Sequence, residues 1–287
     1  MNRLVIGTAQ FGMNYGITNT NGKLKKQEVS DILQVAKAEG LSLIDTAMIY
    51  GDSERVLGES GEEFEYVSKL GPLPECEDNL IQWVNDCVNT SLERLNSKEL
   101  YGLLVHNIDD YQGPRARELF DALDWVKSRG LVKKTGVSIY SPNQLQHLYD
   151  NFSFDIVQAP INLIDRRLEK SGWLEKLKIN NVEVFGRSVF LQGLLLQNMS
   201  YLPEKFHRWL SIWSSLEKIC CSQSVSPLDL CISYPKSLKN LSRIIVGVDN
   251  VAQTQDIIQA YRNPVEFADW SELVCDDEFL VDPRRWV

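Results

Sequence analysis

Eight short apolar runs rich in strand-forming residues alternate along the chain with amphipathic stretches, and no other feature narrows the fold so far. The runs are Leu4 to Ile6, Leu41 to Ile44, Tyr66 to Ser68, Tyr101 to Val105, Thr135 to Ser138, Ile156 to Ala159, Val182 to Phe185 and Ile244 to Val248. Between most of them apolar residues recur at helical spacing. The clearest case is Leu80, Val84, Cys87, Val88, Leu92 and Leu95, which would lay one apolar stripe on a sheet. Ser141-Pro142 reads as a helix N-cap followed by proline at the first helical position, and Gly40 and Gly130 stand where helices should stop. Strict alternation of strand and helix implies parallel strands joined by right-handed crossovers. Eight such units without an obvious edge strand predict closure into a (β/α)8 TIM barrel. A doubly wound open sheet is the alternative, but its Gly-x-Gly-x-x-Gly turn is missing, since Gly7, Gly12, Gly16 and Gly22 are spaced too widely. With no linker-like change of composition, residues 1–287 read as a single domain, 264–287 forming a C-terminal tail.

A 44% hydrophobic, 24% charged composition suits a chain that buries a large core and excludes global disorder. The net charge of −9, with no basic cluster, argues against a nucleic-acid or anionic-membrane partner. No run is long enough to span a bilayer, and Leu4-Val5-Ile6 follows the first residues directly, without a signal-peptide core, so the expected location is cytoplasmic. Cys76, Cys87, Cys220, Cys221, Cys231 and Cys275 mostly fall in apolar helical patterns, which predicts buried free thiols. No Cys-x2-Cys pair occurs and His106, His147 and His207 are not spaced to join a cysteine cluster, so no metal is expected.

In a barrel of this kind chemistry sits where strands end and the following loops begin. The second strand ends at Asp45-Thr46-Ala47 with Tyr50 close behind, the third at Lys69 and the fourth at His106. Tyrosine, with an ordinary pKa near 10, is a feeble acid or base until a neighbour changes it. A lysine ammonium beside it favours phenolate, Asp45 would hold Lys69 by an ion pair, and His106 would orient a carbonyl or relay a proton. Taken singly, Asp45 reads equally as a helix cap, Tyr50 as a packed rim aromatic, Lys69 as a structural ion-pair partner and His106 as a satisfied core histidine. Four such explanations at consecutive strand ends are much harder to sustain together.

These residues resemble the aldo-keto reductase family, through Gly7-Thr8-Ala9-Gln10-Phe11-Gly12, Asp45-Thr46-Ala47 to Tyr50-Gly51, Ser53-Glu54, Val67-Ser68-Lys69 and His106, over nearly the whole chain to about Gln253. The resemblance implies that Asp45, Tyr50, Lys69 and His106 form a catalytic tetrad, with Tyr50 protonating a carbonyl oxygen as hydride arrives from a nicotinamide. It further implies cofactor contacts from Gly7, Thr8, Ala9 and Asp45, from Ser138 and Gln158 to the carboxamide, and from Arg187, Ser188, Gly193, Gly247, Asp249 and Gln253. Ile139 stands where the family usually has asparagine, Arg187 where it commonly has a stacking aromatic, and Ile257 where an asparagine near the adenine is expected. A guanidinium can stack on a ring, would disfavour an oxidised, cationic nicotinamide, and would attract an anionic substrate; its bland reading is an arginine paired to a carboxylate. The start of the helix after the eighth strand suits phosphate, yet Asp249 would repel a 2'-phosphate. NADP(H) is thus favoured by family habit and NAD(H) by local charge. Tyr234-Pro235-Lys236-Ser237 looks like a phosphate motif of some relatives but precedes the last strand, so a helix-ending turn is the better reading, with Lys236 or Lys239 still in reach of the cofactor.

The long glycine-rich first loop offers Phe11, Asn14 and Tyr15 as a substrate wall beside Tyr50 and His106, with Phe190, Trp270 and Trp286 as further aromatic candidates. With Leu4 to Ile6 as the first strand, the expected barrel is one without the N-terminal hairpin that closes the barrel bottom in many relatives of that family. The expected activity is NAD(P)H-dependent reduction of a small aldehyde or ketone, a sugar or keto-sugar being the favoured class. Alternatives are a cofactor-binding regulatory or channel-type subunit and a non-redox barrel isomerase or lyase. Oligomeric state is left open.

Overall fold

The eight apolar runs become the eight strands of a closed parallel barrel, ordered β1 to β8 with β8 paired back to β1. The strands are β1 Leu4–Gly7, β2 Leu43–Asp45, β3 Glu65–Leu70, β4 Leu100–Val105, β5 Val132–Ser138, β6 Ile156–Pro160, β7 Glu183–Arg187 and β8 Arg243–Gly247. This computed structural model describes residues 2–20, 22–75, 78–111, 113–266 and 270–286. Around the barrel run α1 Ala9–Gly12, α2 Lys26–Ala38, α3 Ser53–Glu59, α4 Leu80–Leu95, α5 Ala116–Ser128, α6 Leu145–Asn151, α7 Arg167–Lys170, α8 Trp173–Ile179, α9 Leu210–Gln223, α10 Pro227–Ser237, α11 Val251–Arg262 and α12 Glu278–Val281.

Alternation along each strand separates two cores. Val5, Leu43, Val67, Leu104, Ile156, Phe185 and Ile245 fill the barrel itself, while the larger apolar cluster packs helices onto its outside. Gly136 permits the tightest approach in the sheet, since a Cβ there would lie 2.1 Å from the carbonyl oxygen of Ile156. Helix ends follow the sequence signals. Gly40 and Gly130 adopt φ of 76° and 73°, and the amides beyond them return to the last helical turn: Gly40 to Lys37 and Leu41 to Ala36, Gly130 to Lys127 and Leu131 to Val126. That same turn explains why β2 begins at Leu43 rather than Leu41. Ser141 caps Asn143 N–H, although the turn that Pro142 opens is 3-10 before it becomes α6.

The tail beyond α11 packs on the barrel: Cys275 N–H donates to Ile164 O, Arg166 donates to Trp270 O, and Leu273, Leu280 and Val281 are buried. The five described cysteines are free thiols, but only Cys231 and Cys275 are buried. Cys87 and Cys220 are half-buried and Cys221 is exposed, a correction that arises because the last turn of α9 carries Cys221 on its solvent side; Cys76 lies outside the described residues. Among the described residues no helix is long and apolar enough to cross a membrane, and no cluster of His, Cys, Asp or Glu could hold a metal ion.

Candidate active site

Consecutive strand ends bring the four titratable residues to one rim. β2 delivers Asp45, and the chain beyond it is held by backbone bonds from Thr46 N–H to Val67 O, Met48 N–H to Lys69 O and Tyr50 N–H to Ala47 O, a folded turn that carries Tyr50 back over the barrel. Two glycines allow the first loop to press against that turn. A Cβ at Gly12 would lie 1.7 Å from Tyr50 O, and one at Gly51, whose φ is +57°, would lie 2.3 Å from Gly12 O. Hydroxyls pin the same seam: Ser53 Oγ lies 2.8 Å from Thr8 Oγ1 and 3.1 Å from Thr46 Oγ1, and Thr8 Oγ1 donates to Asp45 O.

Lys69 is the centre of the floor. Its Nζ donates to both carboxylate oxygens of Asp45 and to Thr46 O, each at 2.8 Å, and Gln158 Nε2 adds a bond to Asp45 Oδ1 at 2.7 Å. An ammonium has three N–H donors, so none is left for the phenol. Instead the charge sits 5.3 Å from the centre of the Tyr50 ring. The expectation that Lys69 favours phenolate is corrected accordingly: burial, then Asp45, push the Tyr50 phenol above its ordinary range. Burial also pushes Lys69 down, against the upward pull of Asp45. The His106 ring meets the Tyr50 ring edge-on, centroids 5.9 Å apart. Burial, then Lys69 and Arg187, push His106 down to about 3, which keeps the imidazole neutral. Its Nδ1 is buried with no hydrogen-bond partner.

A cavity of ≈570 Å³ opens above this floor. Asp45, Tyr50 and His106 line it together with Gly7, Thr8, Ala9, Tyr15, Ser138, Gln158, Arg187, Ser188, Gly193, Gly247, Asp249 and Gln253. Arg187, half-buried at the end of β7, donates to Ser188 Oγ at 3.0 Å and Ile139 O at 2.9 Å and stacks 4.4 Å from the centre of the Tyr140 ring. It has no carboxylate partner among the described residues, so the bland reading of a paired arginine is not realised. The loop beyond it is tightly wound, with Ser188, Leu191 and Gln192 at φ of 60°, 49° and 55°. Gly193 follows at φ +86°, where a Cβ would lie 2.0 Å from Thr18 Oγ1. At the other end of the cavity Asn250 caps α11 through Gln253 N–H, and Gln253 Oε1 accepts from Asp249 N–H. Asp249 Oδ1 is buried without a partner, and burial pushes the carboxyl up. The buried, unpartnered atoms His106 Nδ1 and Asp249 Oδ1 mark this as a cavity whose polar groups fit a polar ligand such as a dinucleotide.

Other expectations are corrected. Phe11 is fully buried in the core, because the short α1 turns it away from the cavity. Trp270, within the tail, is buried, and Trp286 packs edge-on against Phe206 and donates to Leu280 O; neither lines the site. Lys236 reaches Tyr261 O, and its own carbonyl accepts from Arg3 ahead of β1; both Lys236 and Lys239, which precedes β8, therefore sit at the opposite end of the barrel from the cavity. Ile257 is buried on the inner face of α11 and Ile139 is sealed in the core. Gln10, Met13, Ile49 and Tyr140 line the cavity although the sequence reading did not single them out as ligands. Gln10 lay inside the glycine motif, and its amide faces the bare Cα of Gly247.

Comparison with known proteins agrees with this geometry. A sequence model described as the aldo/keto reductase family matches residues 3–274. D-arabinose 1-dehydrogenase of Saccharomyces cerevisiae is 25% identical over 281 residues, covering 90% of this chain and 82% of its own. L-galactose dehydrogenase of Arabidopsis thaliana is 22% identical over 263 residues, covering 86% and 82%. Among solved structures the holo form of an aldo-keto reductase from Bacillus halodurans superposes with a TM-score of 0.75 at 18% identity, covering 96% of this chain and 94% of that one.

Proposed function

The chain belongs to the aldo/keto reductase family and is an NAD(P)H-dependent oxidoreductase, and from that premise we propose that it reduces a small aldehyde or ketone, of sugar or keto-sugar class, with Tyr50 as the proton donor. The observation that carries this reading is the buried Asp45–Lys69 ion pair beneath Tyr50 with neutral His106 at its edge, of which Asp45, Tyr50 and His106 face one cavity. When bound, the reduced nicotinamide supplies hydride to the carbonyl carbon. Ser138 and Gln158 would hold its carboxamide, and Gly193, Gly247, Asp249 and Gln253 the remainder. Tyr50, kept protonated by its burial, hands its proton to the oxygen that becomes alkoxide-like as hydride arrives, a base stronger than phenolate. Lys69 and Asp45 fix the floor and supply a field at the ring without consuming the phenol's proton. A neutral His106 donates one N–H to the carbonyl oxygen and holds it against Tyr50.

For the choice of cofactor the cavity favours NAD(H). Among its described lining residues Arg187 is the sole lysine or arginine, and its field acts on Tyr50, Lys69 and His106 rather than on Asp249. At the Asp249 end an unpartnered carboxylate oxygen suits a ribose hydroxyl, which donates, and opposes a phosphate ester, which cannot. Free thiols support a reducing, cytoplasmic setting, and the packed tail supports one domain over residues 1–287. The test is fluorescence titration with NADH and NADPH, followed by loss of reduced-nicotinamide absorbance across aldehydes, ketones and keto-sugars. The reading is overturned if neither cofactor binds.

A further inference from the structure

We propose that the carbonyl compound taken by this site carries an anion of its own, a carboxylate or phosphate, and that Arg187 receives it. This rests on the reductase reading above and narrows its substrate. Arg187 is built into the wall by groups that orient it without answering its charge: a serine hydroxyl, a backbone carbonyl and the face of a tyrosine ring. Of the five N–H donors of a guanidinium, two are used, leaving three that no described residue takes up. A half-buried cation treated in this way is stabilised most by an anion that arrives from outside.

The other charges near the reacting end are already matched. Lys69 and Asp45 neutralise one another at 2.8 Å, and His106 is neutral. Arg284, whose guanidinium also stacks on Tyr140 at 3.5 Å from the ring centre, is held by Asp282 at 2.6 Å. Tyr140 thus contacts two guanidiniums, of which the tail's is paired to a carboxylate and the cavity's is not. Tyr140 is a positioning residue: the stack stops Arg187 from swinging away to solvent. Met13, Tyr15 and Ile49 also line the cavity, partly exposed and uncharged, and suit an uncharged body between the carbonyl and the anion.

The experiment compares two matched pairs of aldehydes of different reach: 4-carboxybenzaldehyde with its methyl ester, and succinic semialdehyde with its methyl ester. Each is assayed in the holoenzyme at saturating cofactor for wild type, Arg187→Met, Arg187→Lys and Tyr140→Ala. The wild type should favour the acid of at least one pair by about 10- to 100-fold in kcat/KM, the span of a charge-assisted contact. Arg187→Met should abolish the preference through KM, and Arg187→Lys should keep part of it. In Tyr140→Ala the acid's KM should rise while the ester's stays. Raised salt should weaken the acid alone. Cofactor dissociation constants, read by fluorescence in the same proteins, separate the alternatives. If Arg187→Met loosens the cofactor and leaves the acid-to-ester ratio unchanged, the anion met by Arg187 is the cofactor's pyrophosphate and the proposal fails. If wild type prefers neither acid, it fails outright. If no cofactor binds to wild type, the reductase reading fails instead.

Discussion

Replacing Lys69 with methionine should destabilise the protein far more than replacing the whole ion pair. The ammonium and carboxylate are 1% and 5% exposed, and Nζ makes three hydrogen bonds at 2.8 Å. In Lys69→Met the Asp45 carboxylate keeps only the Gln158 amide, an uncompensated buried charge that costs about 3–5 kcal/mol. Unfolding entropy scales with length, and for this chain comes to about 0.6 kcal/mol per kelvin, so the melting temperature should fall by roughly 5–8 °C. In the double variant Asp45→Asn/Lys69→Met the charge is gone. Thr46 O remains unsatisfied but the larger penalty disappears, so at least half of the loss should return. Thermal and urea melts of the wild type, both singles and the double measure this directly. A Lys69→Met protein that melts with the wild type, or a double variant no more stable than Lys69→Met, would refute the argument that buried charge governs this floor.

Tyr50→Phe should lower kcat by about 10²- to 10⁴-fold while leaving cofactor affinity within about twofold, since it removes a proton donor and little else; turnover within tenfold of wild type would remove Tyr50 from its role. The pH dependence follows in sign from two shifts. Tyr50 must be protonated for reduction and its pKa is raised, so its contribution is lost only as pH rises beyond the ordinary tyrosine range, while His106, pushed down to about 3, stays neutral above roughly pH 4. Steady-state kcat/KM for reduction should therefore be flat from about pH 5 to 8, and a limb near 6.5 would show that His106 titrates in that range. Asp249→Ser should shift the NADPH-to-NADH affinity ratio toward NADPH by about tenfold, as removal of one opposing charge from a 2'-phosphate would; an unchanged ratio assigns preference elsewhere.

The alternation of apolar runs carried the architecture because each run must be buried on both faces, and only closure gives eight parallel strands no edge. The strand ends carried Asp45, Lys69 and His106 for the same reason: chain position alone puts them on one rim. What the sequence could not carry was direction. Phe11 and Tyr15 share a glycine-rich loop, yet a single helical turn at Ala9–Gly12 sends Phe11 into the core and leaves Tyr15 at the cavity. Lys69 was legible as a neighbour of Tyr50 but not as a donor already saturated by Asp45 and Thr46, because that depends on distances of tenths of an ångström. Tyr140 was illegible for another reason. Its role arises only when Arg187 and the tail's Arg284, far apart in sequence, both come to stack on its ring.

The seam between Gly12 and the Tyr50 turn bears on how such a site can change over time. Backbone lies on backbone there, with no side chain between to be trimmed or enlarged, so the first loop up to Met13 and the turn holding Tyr50 form one mechanical unit. Variation in that stretch displaces the proton donor itself. Beyond it the contacts change character: Tyr15 lines the cavity and Thr18 donates to Gln192 O, so side-chain exchange there acts on the pocket's shape rather than on the backbone that holds Tyr50. A lineage with this seam can explore new substrates through one half of a loop while the other half keeps the chemistry in register.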